Sequence, residues 1–64
     1  MLTNSREIIR RLEREGWELM RTRGSHRQYR HPELRRRVTV PHPKKDMPPK
    51  TVASIYRDAG WEKD

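Results

Sequence analysis

Residues 17–40, with the sequence WELMRTRGSHRQYRHPELRRRVTV, decide the fold of this chain. Apolar and polar side chains alternate in three short runs, which is the period of β-strands with one face in water. The runs cover residues 17–22, 26–31 and 36–40. Gly24-Ser25 marks a tight turn after the first run, and Pro32-Glu33-Leu34 connects the second run to the third. Because both connections are short, the three strands are predicted to form an antiparallel meander.

A helix is predicted on each side of these strands, over residues 5–15 and 49–59. Each contains apolar residues at helical spacing. The apolar positions are Ile8, Ile9 and Leu12 in the first helix and Val52, Ile55, Tyr56 and Ala59 in the second. Asn4 followed by Glu7 resembles a capping box at the first helix start. Since each helix has one apolar face, both are expected to cover the same side of the sheet. The predicted fold class is α+β, in the order α-β-β-β-α, with both helices on one face of a three-stranded antiparallel sheet.

Both predicted helices are followed by the dipeptide Gly-Trp, at residues 16–17 and 60–61. Glycine adopts the left-handed conformation that ends a helix, and the apolar residue after it folds back onto the last turn. Trp17 is therefore predicted to cover Leu12, and Trp61 to cover Tyr56. Both tryptophans are expected to belong to the core rather than to stack on nucleobases.

Length and composition limit the classes of protein. Residues 1–64 are expected to form a single domain, and only 30% of them are apolar, so a large ligand cavity is not expected. The absence of cysteine excludes disulfides, thiolate nucleophiles and Cys-based zinc sites. No apolar run approaches the roughly 20 residues of a membrane span, and no signal-peptide pattern follows Met1, so a cytoplasmic location is expected.

The charge of the chain favours a polyanionic partner. Sixteen Lys and Arg residues against nine Asp and Glu give a net charge of +7. Most of these cations are arginines, whose planar guanidinium groups can bind phosphate through two parallel hydrogen bonds. A membrane surface is a less suitable partner, since no helix combines a Lys-rich face with a broad apolar face.

His26 is the candidate catalytic residue. If Tyr29 points into the core, Arg27 and His31 share its side, while His26, Gln28 and Arg30 point to the open face. A neutral imidazole there could take the proton from a ribose 2′-OH, with arginines stabilising the charge on phosphorus. On these residues alone, an ordinary surface histidine is the more common explanation. The candidate RNA-binding residues are Arg23, Ser25, Arg27, Arg30, Arg36, Arg37, Lys44 and Lys45.

The other two histidines are weaker candidates. His31 precedes Pro32 and resembles a turn residue, and His42 lies between two prolines in a loop. The spacing of the three histidines matches no metal-binding pattern, so neither a metal nor another cofactor is expected.

Several motifs, taken in order, resemble the HicA-type mRNA-interferase toxins of bacterial toxin–antitoxin systems. They are Ser5-Arg6-Glu7-Ile8-Ile9, Glu15-Gly16-Trp17, Gly24-Ser25-His26, Arg37-Val38-Thr39-Val40-Pro41, Lys45-Asp46-Met47-Pro48, Ser54-Ile55-Tyr56-Arg57 and Ala59-Gly60-Trp61. The resemblance implies a fold like that of double-stranded RNA-binding domains. It also implies a metal-independent endoribonuclease that cuts mRNA with a single catalytic histidine, here His26, and a HicB-type antitoxin that masks the active face.

Two positions depart from the pattern of this family. Glu33-Leu34-Arg35 stands where the family often has glycine in a turn, and Lys50 stands where glycine often precedes the threonine of the last helix. From the residues alone, two alternatives stay open beside the enzyme. They are a non-catalytic basic RNA-binding module and a small adaptor that folds only on a protein partner. Whether Ser25 or Lys45 assists His26 is also open.

Overall fold

Two helices flank three strands along the chain, which confirms the predicted α-β-β-β-α order. The computed structural model describes residues 1–64. The elements are α1 (Ser5–Arg14), β1 (Glu18–Arg23), β2 (His26–Arg30), β3 (Arg37–Pro41) and α2 (Pro49–Ala59). Every boundary lies within one residue of its predicted position. Neither helix has the length and apolar composition needed to span a bilayer.

The strands form an antiparallel sheet in the order β1-β2-β3. Tyr29 lies opposite Val38, and Arg27 lies opposite Val40. Because residues opposite each other in antiparallel strands face the same side, these four side chains share one face. Tyr29, Val38 and Val40 are buried, so this is the core face, and the other side is the open face.

One cluster of 13 buried apolar residues forms the core. It combines the core face of the sheet with the apolar faces of both helices, so both helices lie on the same side, as predicted. The members are Ile8, Ile9, Leu12, Trp17, Tyr29, Val38, Val40, Met47, Val52, Ile55, Tyr56, Ala59 and Trp61. No buried apolar residue comes from the open face, which is therefore free to carry polar side chains.

Both helices end in the same hydrogen-bonded motif, as the Gly-Trp dipeptides predicted. Gly16 and Gly60 have positive φ angles of 95° and 77°. The Trp17 N–H donates to the Leu12 carbonyl and the Trp61 N–H donates to the Tyr56 carbonyl, at 2.9 and 2.8 Å. This is the Schellman arrangement, in which the residue after glycine folds back onto the last helical turn. Both tryptophans are consequently buried and unavailable for base stacking.

The start of α1 is tied to the loop after β3. Asn4 accepts a hydrogen bond from the Arg6 N–H, so the predicted cap forms, without the reciprocal bond from Glu7 that completes a capping box. The Ser5 N–H donates to the Lys44 carbonyl, and the Lys44 N–H donates to Ser5 Oγ, both at 2.9 Å. These bonds fix the loop of residues 41–45 on the helix.

Glu15 connects the end of α1 to the C-terminal segment. Its carboxylate accepts hydrogen bonds from Arg11 Nε at 3.0 Å and from Trp61 Nε1 at 2.7 Å. The Arg11 guanidinium also lies 4.0 Å from the centre of the Trp61 ring. Partial burial acts to raise the pKa of Glu15, but the hydrogen bonds from Arg11 and Trp61 outweigh it and lower the pKa.

Replacing Glu15 by glutamine is expected to reduce the free energy of unfolding near neutral pH but not in acid. The pKa of a glutamate in the unfolded chain is about 4.3, and a carboxylate whose pKa is lower in the folded protein stabilises the fold at pH values above that. This contribution disappears as the pH falls through the pKa of the folded state. The side chain is 40% exposed, so solvent screening limits the loss to about 1 kcal/mol or less. Urea unfolding near neutral pH and at about pH 3 measures the difference.

The matched control is Glu13→Gln, because Glu13 is exposed on the same helix and its side chain makes no ion pair or hydrogen bond. It should leave stability unchanged at both pH values. An equal loss in the two variants would show that net charge, rather than the contacts of Glu15, is responsible.

Candidate functional site

His26 is the first residue of β2 and lies on the open face. It is exposed, and its backbone partners are Arg23 in β1 and Pro41 in β3. The preceding turn contains Gly24, whose φ of 58° suits glycine. The His42 N–H donates to the Ser25 carbonyl at 2.6 Å, which attaches this turn to the segment after β3. The orientation expected from strand parity is therefore confirmed, and the backbone below His26 is held on both sides.

A bulge in β1 changes which side chains accompany His26. Strict alternation places Leu19 and Arg21 on the same side, but the register shifts between these two residues. Leu19 lies opposite Tyr29 on the core side, whereas Arg21 lies opposite Gln28 and donates from Nε to its side-chain oxygen at 3.2 Å. The extra residue thus turns Arg21 and Arg23 to the open face, which is a common effect of β-bulges.

A shallow groove of about 380 Å³ lies beside His26, between the open face and α2. We call it the His26 groove. It is lined by His26, Thr39, Pro41, Lys50, Thr51, Ser54 and Ile55. Sequence reasoning missed the residues from α2, because they are distant in the chain. Helical spacing could have identified them, because Lys50, Thr51 and Ser54 lie on one polar side of α2, beside the apolar face that packs on β3.

No carboxylate lines the His26 groove. Lys50 makes no ion pair, and neither does Arg23 on the adjacent strand, since the ion pairs of the chain lie elsewhere. Ser54 Oγ accepts a weak hydrogen bond from Arg57 at 3.3 Å. The groove therefore combines an imidazole, hydroxyl groups and an uncompensated ammonium, which suits an anionic ligand. Thr39 and Thr51 contribute hydroxyls that make no side-chain hydrogen bonds within the chain.

Three of the predicted RNA-binding residues either face the other side of the sheet or line a different groove. Arg27 is half-buried on the core side of the sheet, opposite Val40. Lys44 and Lys45 line a separate groove of about 270 Å³. Its lining is Asn4, Ser5, Arg6, His42, Pro43, Lys44 and Lys45. Lys45 and His26 thus line different grooves, and Ser25, which adjoins His26 in the chain, is exposed.

The other predicted arginines gather at the opposite end of the strands. Arg30, Arg36 and Arg37 line a groove of about 310 Å³ together with Arg35, His31 and Pro32. We call Arg30, Arg35, Arg36 and Arg37 the arginine cluster. Arg36 also approaches Gly60 at the end of α2, where the partial negative charge of the helix terminus favours a cation. Among the predicted RNA-binding cations, only Arg23 therefore lies next to His26 on the open face.

His31 has a structural role, as its position before Pro32 suggested. Its Nδ1 accepts hydrogen bonds from the Glu33 and Leu34 N–H groups, both at 3.2 Å. Because Nδ1 is the acceptor, Nε2 carries the proton and donates to the Glu15 carbonyl at 3.0 Å. The ring also packs edge-on against Trp17.

His42 is likewise part of the scaffold. Its Nδ1 lies 2.8 Å from Ser5 Oγ, the same hydroxyl that holds Lys44. Burial, assisted by the positive charges of Arg27 and Arg6, lowers the pKa of His42 and favours the neutral ring. His26 differs from both other histidines, because its ring makes no hydrogen bond within the protein. No group of three or more His, Asp or Glu side chains converges in a way that could hold a metal ion.

Comparison with known proteins identifies the family. No curated protein matches this sequence. A family model, described as the HicA toxin of bacterial toxin–antitoxin, matches residues 5–61. That range contains both helices, all three strands and every residue of the His26 groove. The chain therefore belongs to the HicA family of toxins from bacterial toxin–antitoxin systems.

Proposed function

We propose that this toxin is a metal-independent endoribonuclease that cleaves mRNA with His26 as its general acid/base. The observation that carries the proposal is the exposed imidazole of His26 in a groove with an ammonium, hydroxyls and no carboxylate. An RNA phosphodiester is the ligand that needs this combination. Its phosphate requires positive charge, and its adjacent 2′-OH supplies the nucleophile once a base removes the proton.

The reaction uses only groups of the protein and the RNA. Neutral His26 takes the 2′-OH proton, and the 2′ oxygen forms a bond to phosphorus. The bond from phosphorus to the 5′ oxygen breaks, and that oxygen takes up a proton from the imidazolium or from water. The products are a 2′,3′-cyclic phosphate and a 5′-hydroxyl end. General base catalysis of this kind contributes on the order of 10²–10⁴ in rate.

Lys50 is the cation of the His26 groove and completes the proposed site. Negative charge accumulates on the non-bridging oxygens as the pentavalent phosphorane forms, and an ammonium beside it stabilises this charge more than that of the ground state. Lys50 makes no ion pair with a carboxylate, so its charge is available to a ligand. Lys45, which the sequence suggested as an assistant, lines another groove and is not assigned this role.

A non-catalytic RNA-binding module is the second candidate. One observation favours it: no side chain holds the His26 ring by a hydrogen bond, whereas many catalytic histidines are oriented by a partner. In this case the cations alone would provide sequence-indifferent affinity that falls steeply with salt. An RNA cleavage assay distinguishes this candidate from the endoribonuclease, because a binding module cuts no RNA.

His26→Ala is expected to abolish RNA cleavage while RNA affinity stays nearly the same. The imidazole is the proposed acid/base, but one neutral ring releases few counterions on binding. Incubating both proteins with RNA in EDTA, and measuring affinity by fluorescence anisotropy, tests the two effects. Cleavage by the variant would exclude His26 as the catalytic group, and no cleavage by either protein would favour the binding module.

Lys50→Gln is expected to reduce kcat by about tenfold or more, with a smaller change in KM, because its charge acts mainly on the phosphorane. Lys45→Gln is the matched control, since it removes the same charge from a groove that does not contain His26. Steady-state cleavage assays compare the two. Equal effects of both substitutions would indicate general electrostatic attraction in place of a role at the reacting phosphate.

We further propose that a HicB-type antitoxin neutralises the toxin by covering the open face. A protein with a net charge of +7 attracts an acidic inhibitor, and masking His26 blocks access of RNA. In the complex, modification of His26 by diethylpyrocarbonate is therefore expected to fall to background, as measured by peptide mass spectrometry. Full reactivity of His26 in an inhibited complex would contradict direct masking.

A further inference from the structure

We propose that the arginine cluster is a second phosphate-binding subsite, which holds single-stranded RNA several nucleotides away from the bond that is cut. This inference rests on the proposed ribonuclease function and adds to it the extent of the bound substrate. The cluster lines a groove of about 310 Å³ that contains no apolar residue and no carboxylate.

No carboxylate of the protein neutralises the positive charges of the cluster. None of its guanidinium groups forms an ion pair or a side-chain hydrogen bond. The nearby carboxylates are those of Glu18, opposite Arg30 in β1, and Glu33 in the connecting loop, and neither pairs with the cluster. Arg30 and Arg37 are also direct cross-strand partners. Like charges in such positions repel each other, and an anion bound between them relieves the repulsion.

The loop that carries the cluster is held in place before any ligand binds. The Arg35 N–H donates to the His31 carbonyl at 2.9 Å, and the His31 N–H donates to the Arg36 carbonyl at 3.1 Å. The His31 ring adds its bonds to the Glu33 and Leu34 N–H groups and to the carbonyl of Glu15. Binding therefore requires little ordering of the backbone, which favours affinity.

Arg35 is the one residue other than glycine with a positive φ, at 56°. A side chain in this left-handed region costs about 1–2 kcal/mol, a cost that glycine avoids. The strained position nevertheless carries an arginine whose side chain makes no ion pair and no hydrogen bond within the protein. The Arg35 side chain is therefore available to a ligand.

Position along the sheet gives the spacing of the two subsites. Arg30 follows His26 by four residues on β2 and faces the same side, so the two lie about 13 Å apart. An RNA strand that occupies both must extend over several nucleotides. All four aromatic Trp and Tyr side chains are buried, so the open face offers no base-stacking platform. Recognition at the cluster consequently involves phosphates and is indifferent to sequence.

The salt dependence of RNA binding tests the subsite directly. The protein is His26→Ala, so that RNA remains intact, and the probe is a labelled oligouridylate of about 16 nucleotides. Adding Arg35→Gly and Arg37→Gln is expected to reduce the slope of log K against log salt by about 1.4, or about 0.7 for each lost contact with a single strand. Glycine also relieves the strain at position 35, so this variant is expected to fold.

Two controls accompany this variant. Arg10→Gln with Lys63→Gln removes the same charge from exposed positions outside the grooves, and should leave the slope unchanged. Arg37→Lys keeps the charge and should also keep the slope. An equal reduction by the distant pair, or an unchanged slope in the cluster variant, overturns the proposal.

Cleavage of long and short RNA by active protein tests whether the cluster lies at a distance from the bond that is cut. With His26 present, the cluster variant is expected to lose about tenfold or more in kcat/KM on the long oligonucleotide and nothing on a dinucleotide, which is too short to reach the cluster. Equal losses on both substrates would overturn a separate subsite. If the protein cleaves no RNA, the proposed function fails, while the binding slope still decides whether the cluster holds phosphates.

Discussion

All buried side chains of the sheet point to one side, and the rest of the molecule follows from this constraint. Tyr29, Val38 and Val40 project from β2 and β3 onto the two helices, and the core cluster contains 13 of the 19 apolar residues of the chain. No buried apolar residue comes from the second face of the sheet, so no layer of the core covers it. That face must be polar, and its polar residues are the ones that accompany His26.

The two Gly-Trp helix ends make so small a core sufficient. Each returns a tryptophan to the last turn of its helix, so the largest side chains of the protein fill the space at the helix termini. Glu15 then joins the two ends by accepting a bond from the Trp61 indole while its backbone carbonyl receives the bond from His31. The helix ends, the C-terminal segment and the loop of the arginine cluster are thereby connected, which couples the scaffold to the open face.

Positive charge is divided among separate surfaces rather than gathered around His26. Lys50 belongs to the His26 groove, Lys44 and Lys45 to the start of α1, and the arginine cluster to the far end of the strands. A single phosphate can contact only one of these surfaces. The division is consistent with a long polyanion crossing the molecule. In the proposed function, the reaction takes place in the His26 groove and the arginine cluster binds a second phosphate.

The order of the elements, the core, the fate of both tryptophans and the exposure of His26 could be derived from the sequence, because they depend on local periodicity and on glycine at helix ends. Arg23 could also be placed near His26, because it adjoins the turn before β2, but the other companions of His26 could not. The bulge in β1 turns Arg21 and Arg23 to the open face and interrupts the alternation of side chains between the two faces. No glycine or proline in β1 predicts it. Lys50, Thr51 and Ser54 reach the groove only because α2 packs beside β3, a contact between segments far apart in the chain. Residue type and local spacing thus determine which chemistry is available, whereas long-range packing decides which of those groups meet in one groove.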